Sequence, residues 1–71
     1  MTYPVTIENA VFDVETHIVY GHTDYDLTLV SGAWPSDAAL LDHFGAIPQC
    51  GGGDVKRTSA NTATVLIWGC D

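Results

Sequence analysis

The side chains that could do chemistry in this sequence are few and unevenly placed. His17, His22, Asp24 and Asp26 fall within ten residues, and His22-x-Asp24-x-Asp26 repeats at two-residue intervals. Alternate residues of a strand share a face, so the spacing sets these carboxylates side by side and invites a metal reading. It falls short of a zinc site, because His22 belongs to a turn and only His17 shares the face of the carboxylates. Asp24 and Asp26 better fit weak binding of a hard divalent cation, and neither a specific metal site nor a cofactor is expected. Cys50 with His43 and a nearby Asp would supply a nucleophile, a base and an orienting group. Nothing fixes that geometry, since Cys50 follows a proline turn and precedes Gly51-Gly52-Gly53, a flexible setting for a preorganised site. The stretch from Gly51 to Lys56 also lacks the Gly-Lys-Ser/Thr ending and following helix of a phosphate-binding loop. Its glycines read as a connector that permits positive φ. With 71 residues there is room for a single compact domain over 1–71 and little for an enclosed cleft. The expectation is a protein that is not an enzyme.

Charge is the stronger signal. Residues 1–55 hold Glu8, Asp13, Glu15, Asp24, Asp26, Asp37, Asp42 and Asp54 with no Lys or Arg, and the two basic residues, Lys56 and Arg57, are adjacent. A formal net charge of -7 excludes direct nucleic-acid binding through a basic surface. An apolar fraction of 46% with 15% charged residues argues for a folded core rather than a disordered acidic tail.

The elements that must position these groups follow from the hydropathy pattern. From residue 11 to 31 the chain alternates with period two: Phe12, Val14, Thr16, Ile18 and Tyr20 lie on one side, Asp13, Glu15 and His17 on the other. Thr23, Tyr25, Leu27 and Leu29 then oppose Asp24, Asp26 and Thr28, and Gly21-His22 suits a two-residue hairpin turn. That turn pairs Ile18 with Tyr25 and Thr16 with Leu27 on a core-like face, and Val19 with Asp24, His17 with Asp26, Glu15 with Thr28 and Asp13 with Val30 on the other. Asp13, Glu15, Asp24 and Asp26 then share one solvent face. Ser36 caps a helix over residues 38–44 whose apolar stripe is Leu40, Leu41 and Phe44. Residues 54–58 and 62–68 read as strands around a Ser59-Ala60-Asn61 turn, the last apolar enough to be central. Residues 2–7 add an edge strand, since Pro4 bars them from the middle of a sheet. The fold class is α+β: a small two-layer domain with an antiparallel sheet of four or five strands and one short helix on a face, in the order β-β-β-α-β-β.

The start Met1-Thr2-Tyr3-Pro4-Val5 has neither a basic region nor an apolar one, so no secretory signal is visible and a cytoplasmic setting with reduced Cys50 and Cys70 is expected. The longest apolar run, Val65-Leu66-Ile67-Trp68, is too short to span a bilayer, and the negative charge opposes anionic lipid, so no membrane association is expected.

An exposed sheet face ordinarily mixes signs, because like charges across strands repel. Carboxylates at i and i+2 sit about 6.6 to 6.8 Å apart on a strand, comparable to successive phosphates of a nucleic-acid strand. In size, acidity and lack of a catalytic signature the chain resembles small phage-encoded inhibitors, anti-CRISPR and DNA-mimic proteins among them. The likeness is one of composition and transfers no residue. It implies a non-enzymatic inhibitor of a partner protein with a basic nucleic-acid-binding surface, contacted by Asp13, Glu15, Asp24 and Asp26 with Glu8 and Asp37 nearby. The other expectation is a structural or adaptor module that binds through apolar surface around Trp34 or Trp68 or by strand addition at a sheet edge. A homodimer across the last strand is one form that contact would take.

Overall fold

The computed structural model describes residues 1–69. Five strands form one sheet: β1 (Tyr3–Ile7), β2 (Ala10–Val19), β3 (His22–Ser31), β4 (Gly53–Arg57) and β5 (Thr62–Trp68), with helix α1 (Asp37–His43) between β3 and β4. A single 3-10 turn, Pro48–Cys50, follows the helix. The order across the sheet is β1-β2-β3-β5-β4, with every neighbouring pair antiparallel. The fold is therefore the expected α+β sheet with one helix. β5 takes the interior place its β-branched, apolar residues suit, and Pro4, which has no N–H to give a second ladder, lies on edge strand β1.

The β2–β3 register differs from expectation by one pair. Val14 faces Leu27, Glu15 faces Asp26, Thr16 faces Tyr25 and His17 faces Asp24, and the turn occupies Tyr20-Gly21 instead of Gly21-His22. Gly21 adopts φ +89° at the second turn position, a left-handed conformation that glycine takes without a Cβ penalty. Shifting the turn by one residue moves the pairing sum by two, so every side chain stays on its expected face while its partner changes. The ladder also slips once: Val11 pairs with Ser31 but Phe12 with Leu29. Val30 is thus an extra, bulged residue and is not the partner of Asp13, which faces Thr28.

The face carrying Phe12, Val14, Leu27, Ala63 and Val65 is buried, as are Ile7, Ala10 and Leu40. α1 closes it. The Ser36 hydroxyl accepts from the Ala39 N–H at 3.1 Å, satisfying one of the free donors of the first turn. Leu40 then packs among Phe12, Val14, Leu27 and Val65, a burial that stabilises by about 1.5–3 kcal/mol. Phe44, one residue past the helix, stacks on Tyr25 with ring centroids 4.3 Å apart. Trp34 packs on Phe12 at 5.1 Å, donates its indole N–H to the Ala60 carbonyl at 2.9 Å, and lies under the Arg57 guanidinium at 4.4 Å. α1, Trp34 and Phe44 pack on the Phe12 face, and the carboxylates of the second face are exposed or half-buried.

Candidate acidic interface

Because Phe12 and Val14 point to the core, Asp13, Glu15 and His17 of β2 point to the uncovered face, and Asp24 and Asp26 join them from β3. The ladders extend this face into two rows across the sheet. Glu15, Asp26, Thr64 and Lys56 form one, and His17, Asp24, Leu66 and Asp54 the other. Asp13 begins a third row with Thr28 and Thr62. Five carboxylates thus share the face with one cationic side chain, Lys56, at its far edge.

The corrected register sharpens the charge pattern. Glu15 stands directly opposite Asp26, an arrangement of like charges that costs stability when unrelieved. His17 stands between them: its Nε2 lies 2.9 Å from Glu15 Oε1 and 3.1 Å from Asp26 Oδ2. The other oxygens are held as well, Asp26 Oδ1 by the Thr64 hydroxyl at 2.9 Å and Glu15 Oε2 by the terminal amine at 3.7 Å. Asp24 is half-buried; its Oδ1 lies 3.4 Å from His22 Nε2, an ion-pair distance without hydrogen-bond geometry, and accepts no hydrogen bond. Ligand atoms of Glu15, His17 and Asp26 lie within 4.8 Å of one another, so these three are the residues that could grip a divalent cation. They form a different set from the Asp24 and Asp26 pair expected from spacing, because Glu15, and not His17, faces Asp26.

Of the sequence-predicted contacts, Asp13, Glu15, Asp24 and Asp26 come together on one face. Glu8 lies outside it, in the β1–β2 turn at φ +54°. Asp37 begins α1 in the other layer, where its Oδ1 takes a hydrogen bond from Arg57 Nη2 at 2.9 Å. Asp54 is the carboxylate that the sequence reading left out of the face. Its alternation with Val55 was visible, but its neighbours depend on β5 lying between β3 and β4.

Cys50 is disulfide-bonded, which corrects the expectation of a reduced thiol there. The 3-10 turn explains the approach: it sets Gly51 against the Trp68 side chain and lets Gly52 accept from the Trp68 N–H at 3.1 Å, so Cys50 stands beside the end of β5. The chain's other cysteine, Cys70, lies outside the described residues. Among the described residues no helix is long and apolar enough to cross a membrane. No family model matches this sequence, and no curated protein or solved structure is significantly similar to it.

Proposed function

We propose that this chain is a small, acidic, non-enzymatic inhibitor that occupies the basic surface of a nucleic-acid-handling protein by presenting its uncovered sheet face as a phosphate-like array. The observation that carries this reading is the gathering of Asp13, Glu15, Asp24, Asp26 and Asp54 on one face that no other element of the fold covers. Asp13 and Glu15, and Asp24 and Asp26, are spaced about 6.6 to 6.8 Å along their strands, Glu15 and Asp26 face each other on strands about 4.8 Å apart, and Asp54 lies two strands beyond Asp24. Arg and Lys side chains that grip phosphates find there the same bidentate acceptors. The summed negative field steers a basic partner toward the face and repels nucleic acid itself.

We place this action in the cytoplasm, where such partners work. Disulfides rarely persist there, so the reading requires binding to survive dithiothreitol. That requirement is reasonable because the acidic strands β2 and β3 pair with β1 and β5 and not with the 3-10 turn that holds Cys50.

The test is retention of proteins from nuclease-treated host lysate on the tagged chain, with washes of rising salt and a parallel matrix in which Asp13, Glu15, Asp24 and Asp26 are each replaced by Lys. The reading predicts a basic nucleic-acid-binding protein that elutes with salt and is absent from the substituted matrix. A partner that resists high salt and binds both matrices alike overturns it, and favours an adaptor binding through apolar surface.

A further inference from the structure

The end of the sheet near the β2–β3 turn is apolar and uncovered. Ile18 is 85% exposed, Tyr20 97%, Val19 48% and Trp68 41%. β1 reaches only as far as the partner of Val14, so the last residues of β2 pair with β3 alone and have no strand on their other edge, and the helix packs against β1, β4 and β5. Core packing does not account for these side chains, since Ile18 lies in the row of Thr23 and Ile67 yet remains open. Ile18, Val19 and Trp68, together with Ile67, His22 and Gly69, line a shallow groove, with Ile18 and Ile67 on the side of core parity and Val19 and Trp68 on the side of the carboxylates. Its other border is the acidic face: Val19, His22 and Trp68 form the row next to His17, Asp24 and Leu66.

We infer that this tip is the apolar anchor of the acidic interface, and that its occupant is an apolar pocket rimmed by Arg and Lys on the same basic partner. The inference rests on the proposed function and adds to it the second half of the partner's chemistry. Charge complementarity selects that occupant. A surface that closes on Val19 and Trp68 lies beside Asp24 on the adjoining row, with Glu15 and Asp26 one row further, so a basic rim is favoured and an acidic one repelled. A second copy of this chain would bring two such acidic faces together at a net charge of -7 each. Large, exposed side chains at the border of a charged field are the type that carries binding energy when desolvated, while the charges set rate and orientation.

The experiment uses the basic protein retained by the wild-type chain, purified, with dissociation constants measured at low and high salt for wild type, the double variant Val19→Ser/Tyr20→Ser, and Asp24→Lys/Asp26→Lys. The double variant should weaken binding about 10- to 100-fold at both salt concentrations without changing the salt slope. The charge variant should flatten the slope. An unchanged double variant beside a weakened charge variant overturns the anchor and leaves the proposed function standing. Failure of the wild type to retain any basic protein overturns both. A wild-type dimer in sedimentation that the double variant dissociates would show that the tip serves a second copy, and would likewise overturn the inference. Thermal unfolding of the double variant within about 2 °C of wild type, as for surface substitutions generally, shows that the fold is intact.

Discussion

Replacing Glu15 by Gln should make the protein more stable, and by an amount that salt controls. Glu15 faces Asp26 across the β2–β3 ladder, and the ligand atoms of these two residues and His17 lie within 4.8 Å of one another. Both carboxylates are about half exposed, 42% and 51%, so the dielectric of water applies. Two unit charges at the outer limit of 4.8 Å then repel by about 0.9 kcal/mol before screening. With Debye lengths of about 30 Å at 0.01 M salt and 3 Å at 1 M, the repulsion falls to about 0.7 and about 0.2 kcal/mol respectively. Gln keeps the size of Glu and an oxygen beside His17 Nε2, so the substitution removes charge and little else. The assay is thermal unfolding followed by tryptophan fluorescence, with wild type and variant compared in the same buffer at each salt concentration. For a domain of this size the gain corresponds to roughly 3 to 6 °C at 0.01 M salt and about 1 °C at 1 M. A destabilised variant, or a gain of the same size at both salt concentrations, would refute the reasoning that this face trades stability for negative potential.

Other substitutions probe the frame that holds the face. Leu40→Ala removes a fully buried side chain and should destabilise by about 2–5 kcal/mol in urea unfolding, enough to leave so small a domain largely unfolded. Gly53→Ala would drive a methyl into the Leu66 carbonyl oxygen and within 3.0 Å of Leu41 Cδ2, so it should part β4 from β5, lower the melting temperature and raise amide exchange in both strands. Ser36→Ala loses the cap on the Ala39 N–H and should cost about 1 kcal/mol, read as a melting-temperature drop of roughly 4 to 8 °C.

The faces of the sheet were legible in the sequence because they depend on parity alone. Period-two alternation in residues 11–31 assigned Asp13, Glu15, Asp24 and Asp26 to one side, and a turn shifted by a residue changed every partner without moving any of them to the other face. The partners were not legible, because both Gly21-His22 and Tyr20-Gly21 offer a glycine to the turn and only the closed ladder, with its slip at Val11, chooses between them. Strand order was half legible. The apolar run of β5 announced an interior strand, but nothing local says that β5 separates β3 from β4, and this is what adds Asp54 to the face and sends Asp37 with Arg57 to the helical layer. The exposed tip was hidden for a similar reason. Ile18 and Tyr20 carry the parity of the core, and only the short reach of β1 and α1 leaves them in solvent.

The central claim is that the acidic face stands in for a nucleic-acid backbone, and competition tests it most directly. A fluorescently labelled oligonucleotide is bound to the purified basic partner and titrated with this chain, wild type or with Asp13, Glu15, Asp24 and Asp26 replaced by Lys. The account predicts that the wild type displaces the oligonucleotide completely, less effectively as salt rises, and that the substituted chain displaces none. A ternary complex in which the partner holds the oligonucleotide and this chain together would contradict it.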